Sequence, residues 1–256
     1  KFNRLNLVMD KNLWHNRWSD QNKKKIGLLP LFHTYCKLWI NNEPQGFFLL
    51  IEKPQEARGK LDSPYMLRRG PEHSISDEYF DDEEKESAKK YRKQFQSIYH
   101  TINSLSGDAL VTQLDKILNL DNYFHFIGFN YLIPNGDYAD EVFLYIEPKN
   151  QRFEVIPWDY DDILKSMPHE GRTERNKHHA DKKLFSLEES LDVAIAASSQ
   201  LYTLYEQSLD NMLLTLDSAS LTSSAYQVIN ELEQLSQDKQ MAGVTQFLDK
   251  QPFNME

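Results

Sequence analysis

Hydrophobic and polar positions in the first fifth of the chain follow the periods of strands and of one helix. Residues 2–8 (FNRLNLV) alternate as a strand does, and residues 10–26 have the polar start and the spacing of a helix. Two apolar, β-rich runs follow at residues 32–40 and 46–51, separated by the turn-forming segment 41–45 (NNEPQ). Because two such runs around a turn are typical of a β-hairpin, the sequence predicts one here.

A second pair of alternating runs, at residues 142–146 and 153–156, surrounds the turn residues Pro148-Lys149-Asn150 and predicts another hairpin. A hairpin returns its two ends to the same place, so acidic residues at these ends are predicted to come together. The acidic residues that flank this hairpin are Asp137, Asp140, Glu141, Asp159, Asp161 and Asp162. Such a cluster repels itself unless a cation lies in it, and hard divalent cations such as Mg²⁺ prefer oxygen ligands.

Asp159 is the strongest single candidate in this acidic group. It follows Ile156-Pro157-Trp158, a rigid and apolar approach at the end of the second strand. An acid in that position is more typical of a functional site than of open surface. Three other aspartates fit solvated turn residues when they are taken singly: Asp140, Asp161 and Asp162. The residues alone therefore predict a carboxylate site that binds a metal ion.

The rest of the chain is predicted to be mainly helical. Residues 72–93 are strongly charged, with acid preceding base as in an exposed helix, and residues 105–118 continue as a helix. The aromatic-rich residues 122–133 predict a buried helix that leads directly to the acidic group. Residues 165–183 predict a loop beside the second hairpin, and amphipathic helices follow from residue 185 onward.

Composition argues against several classes of function. The chain has 29 Lys and Arg residues against 39 Asp and Glu residues, and the resulting net charge of -10 disfavours nonspecific binding to nucleic acid or to anionic membranes. No apolar run approaches the length of a membrane span, so the chain as given is expected to be soluble. The single cysteine, Cys36, excludes an internal disulfide and a cysteine zinc cluster. The paired His178 and His179 fit a polar loop better than a metal site.

Three short motifs resemble those of a known kinase family. Residues 135–137 (NGD) match an N-x-D element, residues 144–145 (LY) end the first strand of the second hairpin, and residues 157–161 (PWDYD) follow its second strand. Together they resemble the CotH kinases, atypical protein kinases named for a spore coat protein. The likeness includes residues 37–53 (KLWINNEPQGFFLLIEK) and spans most of residues 2–215.

The resemblance implies an α+β, atypical protein-kinase-like fold. Residues 1–72 would form a small, β-containing N-terminal lobe, and residues 73–256 a mainly helical C-terminal lobe that carries the active-site hairpin at residues 135–162. Family members have further strands before the point where this chain begins. The sequence has only nine glycines and no glycine-rich phosphate loop. The small lobe is therefore expected to be truncated or reduced.

The resemblance also implies roles for individual residues. Asp137 would be the catalytic acid that orients the substrate hydroxyl and accepts its proton, and Asp159 would bind Mg²⁺. The family's His-Asn pair is replaced here by Asp140-Glu141, so Glu141 would stand in for the second metal ligand and change the charge of the site. Three further residues would contact the nucleotide or its phosphates: Arg17, Glu52 and Arg68.

The function implied is transfer of the γ-phosphoryl group of ATP to Ser or Thr of a protein, with Mg²⁺ or Mn²⁺ as the cofactor. The expected partners are a protein substrate and the nucleotide. Two alternatives stay open. One is a pseudokinase or binding module without turnover, and the other is a metal-dependent hydrolase or a calcium-binding surface protein. Members of the family are often exported or surface-associated.

Overall fold

The computed structural model of the chain describes residues 5–8, 14–70, 74–76, 82–139, 142–169, 179 and 181–237. These residues form an α+β fold of two small antiparallel sheets and eight helices, which confirms the predicted class. The strands are β1 (Leu5–Val8), β2 (His33–Ile40), β3 (Glu43–Glu52), β4 (Met66–Arg69), β5 (Ile75–Ser76), β6 (Val142–Ile146) and β7 (Phe153–Pro157). The helices are α1 (Trp14–Lys25), α2 (Pro54–Lys60), α3 (Asp82–Ser104), α4 (Gly107–Ile117), α5 (Leu120–Leu132), α6 (Ser190–Ala197), α7 (Ser199–Thr215) and α8 (Ser218–Ser236).

The first sheet has the strand order β1-β3-β2. Its hairpin turn is shorter than the predicted segment 41–45, because Ile40 already pairs with Glu43. Asn41 and Asn42 both have positive φ, 51° and 66°, which is the conformation of a two-residue turn whose twist matches that of the flanking strands. Pro44 is tolerated inside β3 because β1 pairs only with the far end of that strand, from Leu49 onward.

The second sheet has the order β5-β4-β6-β7. β6 and β7 pair antiparallel, with Val142 opposite Pro157 and Ile146 opposite Phe153. Every residue of β6 is buried, which agrees with its continuous apolar sequence. β4, which the predicted boundary after residue 72 assigns to the N-terminal lobe, pairs with β6. The two predicted lobes thus share this sheet.

Helix α5 leads the chain to the acidic motifs. Its aromatic residues except the partly buried Tyr131 are buried in the main core, together with apolar residues of β6, β7 and α7. The helix begins earlier than predicted, and its N-cap is Asn119, whose side-chain oxygen accepts a hydrogen bond from the Asn122 backbone N–H. At its other end α5 stops at Leu132, five residues before Asp137.

Helix α1 packs against α8, and Trp18 at that contact donates a hydrogen bond from its indole N–H to Ser224 Oγ at 2.9 Å. The start and the end of the described chain therefore meet. Within the residues that the structure describes, no helix combines the length and the apolar character needed to cross a membrane.

Candidate active site

The loop after α5 is folded by the asparagine of the NGD motif. Asn135 is fully buried, and its side-chain amide donates to Asn130 Oδ1 at 3.1 Å. Its side-chain oxygen lies 3.3 Å from the backbone N–H of Asp137, a local turn in which the asparagine replaces a backbone partner. The buried end of α5 thereby determines where Asp137 leaves the core. The sequence indicates Asn135 only as a member of the NGD motif and does not predict that its side chain folds this loop.

Gly136 joins this loop to the segment that follows β7. Its N–H donates to the carbonyl of Asp162 at 2.8 Å, and its own carbonyl accepts from the N–H of His169 at 2.8 Å. A Cβ at this position would lie 2.6 Å from Asp162 Oδ2 and 3.0 Å from Lys165 Cγ, so the close approach requires glycine. The NGD motif is therefore brought beside Asp162, the residue that follows the PWDYD motif.

The Asp137 side chain is 39% exposed, and its Oδ1 lies 3.2 Å from His169 Nδ1. The other ring nitrogen of His169, Nε2, contacts Asp162 Oδ2, while Asp162 Oδ1 lies 2.5 Å from Lys165 Nζ. Desolvation disfavours the charged ring, but the hydrogen bond to Asp162 and the charges of both aspartates outweigh it and raise the pKa of His169. His169 was missed in the sequence, which drew attention to His178 and His179 instead.

Asp159 lies at the turn out of β7. It is half-buried and has a positive φ of 50°, a conformation that aspartate tolerates better than most residues. The next residue is held by α1, because the N–H of Tyr160 donates to Asn16 Oδ1 at 2.7 Å. His15 Nδ1 donates to the carbonyl of Asp161 at 2.8 Å. Helix α1 therefore fixes the backbone on the C-terminal side of Asp159.

The predicted nucleotide residues Arg17 and Glu52 both have partners within the chain. The Arg17 guanidinium forms a two-pronged contact with Glu231 of α8, with Nε at 3.1 Å and Nη2 at 3.0 Å from the carboxylate oxygens. Glu52 is 3% exposed, accepts from the Phe32 N–H at 3.2 Å and forms an ion pair with Lys60. It is thus a buried, paired acid rather than a solvated strand end.

Arg68, the third predicted contact, is half-buried on β4 with its guanidinium 5.9 Å from the centre of the Phe143 ring. Its neighbour Arg69 points to the other face of the sheet and is 2% exposed. Arg69 Nη1 donates to the hydroxyl of Tyr123 at 2.9 Å, and Nη2 donates to the carbonyl of Ala139 at 3.0 Å. Arg69, which the sequence did not single out, therefore contacts the Asp137 loop.

A buried polar network continues from Arg69 to α6. Tyr123 donates to Asp192 Oδ1 at 2.7 Å, and the hydroxyl of Tyr138 lies 3.1 Å from Asp192 Oδ2. Glu189 is a second buried acid beside this arginine, with its Oε2 3.6 Å from Arg69 Nε. Burial raises the pKa of Asp192 to about 6, although Arg69 and the two tyrosine hydroxyls favour its carboxylate form. This network holds both residues that follow Asp137.

A protein-family model described as CotH kinase protein matches residues 1–247, nearly the whole chain. The chain belongs to the CotH kinase family. Membership indicates a kinase-like function, and with it ATP and a divalent metal in general terms. No curated protein matches the chain.

A CotH kinase needs a place for a divalent cation. Among the described residues, no group of three His, Cys, Asp or Glu side chains is arranged to hold a metal ion. Glu141, the predicted second ligand, and its neighbour Asp140 lie outside the described residues. Mg²⁺ is commonly bound by one or two carboxylates, with substrate phosphates and water completing its shell. The half-buried Asp159 fits that kind of site rather than an all-protein cage.

Proposed function

We propose that this CotH kinase transfers the γ-phosphoryl group of ATP to a Ser or Thr hydroxyl of a protein, with Mg²⁺ or Mn²⁺. The observation that carries the proposal is the hydrogen bond from Gly136 to Asp162. It joins the loop of Asp137 to the segment of Asp159 in a chain of this family. Two carboxylates on adjoining backbone segments suit a reaction in which the protein positions the nucleophile and neutralises phosphate charge.

In this proposal Asp137 orients the substrate hydroxyl and accepts its proton, and its 39% exposed side chain is accessible to a protein substrate. Asp159, together with Glu141, binds the cation. When bound, the metal and ATP supply the phosphoryl group and the positive charge that offsets the phosphates. The polypeptide contributes the orientation of Asp137, held by Asn135, and of Asp159, held through α1.

The proposed nucleotide contacts are Arg17, Glu52 and Arg68. Glu52 is supported by its ion pair with Lys60, since kinases use an acid to hold a lysine near the phosphates. Arg17 forms its contact with Glu231 near the surface, where such pairs contribute about 0–1 kcal/mol, so a phosphate competes with Glu231 at little cost. We also propose the division into lobes at residues 1–72 and 73–256, with the second sheet common to both.

The experiment that tests this function is thermal unfolding of the full chain with ATP and Mg²⁺ or Mn²⁺, followed by a phosphotransfer assay. A ligand that binds only the folded state stabilises it by about 2.7 kcal/mol at a hundredfold excess over its Kd. We expect stabilisation that requires metal and nucleotide together and that Asp159→Ala abolishes. The exposed Asp210 on α7 gives the control, Asp210→Ala, which should keep it. Asp137→Ala should keep binding and lose transfer.

A pseudokinase is the second candidate, favoured by Asp140-Glu141 in place of the family's His-Asn pair. It predicts nucleotide-dependent stabilisation of the wild-type chain without phosphotransfer to any acceptor. Retention of that stabilisation by Asp159→Ala would contradict both candidates, because each assigns the cation to this carboxylate.

A further inference from the structure

The imidazole of His169 lies between two carboxylates. Nδ1 is 3.2 Å from Asp137 Oδ1, and Nε2 contacts Asp162 Oδ2. An ionised carboxylate only accepts hydrogen bonds, and a neutral imidazole has a single N–H to donate. Both contacts are therefore hydrogen bonds only when both ring nitrogens are protonated. The geometry is that of an imidazolium bridging Asp137 and Asp162.

The backbone places the ring where this bridge forms. The N–H of His169 donates to the Gly136 carbonyl at 2.8 Å, so the histidine is fixed to the residue before Asp137. On the other side, Asp162 is held by Lys165 Nζ at 2.5 Å, and the Lys165 N–H donates to the Pro134 carbonyl at 3.0 Å. The ring is thus attached through the main chain to the loop whose carboxylate it contacts.

We propose that His169 is a positioning residue for Asp137, whose imidazolium orients the Asp137 carboxylate towards the substrate hydroxyl while Asp162 orients the imidazolium. The proposal rests on the function proposed above, in which Asp137 accepts the hydroxyl proton. Holding one oxygen of a half-exposed carboxylate restricts the rotation of the side chain, and restricted geometry is what positioning contributes to a rate. The positive charge also offsets the repulsion between Asp137 and Asp162.

The bridge depends on pH. The charged groups around the ring include Asp137 and Asp162, which favour its protonated form. They also include Lys165, whose ammonium group forms an ion pair with Asp162. The two carboxylates place the pKa of His169 above its ordinary value of 6.5. Because the bridge needs the protonated ring, positioning of Asp137 is complete below pH 6.5 and is lost as the pH rises through the pKa of His169 in the folded chain.

The first test is an NMR titration of the histidine rings in the full chain. We expect the pKa of His169 to fall in Asp137→Asn and in Asp162→Asn, since each change removes one carboxylate. Asp121→Asn, which removes an exposed carboxylate on α5, gives the control and should leave the titration of His169 unchanged. A His169 ring that titrates at its ordinary value in the wild type, or is unaffected by both changes, would overturn the bridge whether or not the chain is an active kinase.

The second test is the pH profile of phosphotransfer by the full chain and by His169→Gln, with His125→Gln as the matched control. We expect His169→Gln to lower kcat about 10- to 100-fold, to leave the KM for ATP within about twofold, and to lose the alkaline decline of kcat. A merely structural role would not move the pH profile. An unchanged kcat and profile would overturn the proposal. An inactive wild type would instead overturn the proposed function, and the catalytic role of His169 with it.

Discussion

Arg69 Nη2 donates a hydrogen bond to the carbonyl oxygen of Ala139 at 3.0 Å, so a buried guanidinium holds the chain two residues after Asp137. The same side chain faces Glu189 and is linked to Asp192 through Tyr123. Carboxylates buried together are stable only with a compensating cation. Arg69 therefore both offsets the charge of these buried acids and restrains the loop of the proposed catalytic residue.

Arg69→Met should destabilise the chain by about 3–5 kcal/mol, because it leaves two buried acids without their cation. The measurement is urea unfolding at neutral pH. Arg152 provides the control, since its contact with Asp115 is partly exposed and Arg152→Met should cost about 0–1 kcal/mol. Equal losses from the two changes would contradict the assigned role of Arg69.

Asp192 should make stability depend on pH. Burial raises its pKa from 3.8 to about 6, so over that interval the folded chain keeps a proton that the unfolded chain has released. The stability that this protonated carboxyl contributes is fully present below pH 3.8 and is lost as the pH rises through 6. The difference between the two pKa values corresponds to about 3 kcal/mol in the free energy of unfolding. Asp192→Asn removes this dependence. We expect the wild-type free energy of unfolding, relative to that of the variant, to fall between pH 4 and pH 7.

The control for this titration is Asp121→Asn, because the Asp121 side chain is 75% exposed. The free energies are obtained from urea unfolding at each pH, so that other titrating groups cancel in the differences. A constant difference between wild type and Asp192→Asn across the pH range would show that the carboxyl is not titrating within the folded core.

The strands were predictable because their alternation and turn residues are local signals. The second hairpin illustrates this, since β6 begins and ends where the sequence predicted and β7 extends one residue further, to Pro157. The turn after Ile40 was predicted too long, because left-handed backbone at Asn41 and Asn42 is not visible as a pattern. Local sequence thus predicted the elements better than their boundaries.

The site was only partly predictable. The NGD and PWDYD motifs indicated which segments meet, because a hairpin brings its ends together. Arg68 and Arg69 point to opposite faces of β4, and the sequence singled out Arg68 as a nucleotide contact without indicating that Arg69 holds the loop after Asp137. His169 had no local signal at all, since its carboxylate partners are assembled by the tertiary fold.

Gly136→Ala should separate the two motifs. The added Cβ would lie 2.6 Å from Asp162 Oδ2, so the segments must move apart or the carboxylate must rotate away. We expect a loss of about 1–3 kcal/mol in unfolding free energy and a loss of phosphotransfer. Gly59→Ala in α2 is the matched control, because nothing lies within 4 Å of its Cβ and alanine favours helices. Full activity of Gly136→Ala together with an unchanged free energy of unfolding would contradict the need for glycine at this position.

Asn16 should be needed for metal-dependent nucleotide binding, although it lies in α1 and not in the segment after β7 that carries Asp159. Its side-chain oxygen accepts the Tyr160 N–H at 2.7 Å, next to Asp159, whose positive φ requires support from its surroundings. Asn16→Ala leaves a buried N–H without that partner and should cost about 1–3 kcal/mol. It should also reduce the stabilisation by ATP and Mg²⁺, because the segment that carries Asp159 is no longer held by α1.

Asn22 separates this effect from a general loss of stability. It is also a buried asparagine of α1, but its side chain bonds to Trp18 and Ser224 rather than to the segment after β7. Asn22→Ala should therefore cost a similar free energy of unfolding while keeping the full stabilisation by ATP and Mg²⁺. If the two variants lose this stabilisation equally, α1 supports the fold as a whole and not the carboxylate of Asp159 in particular.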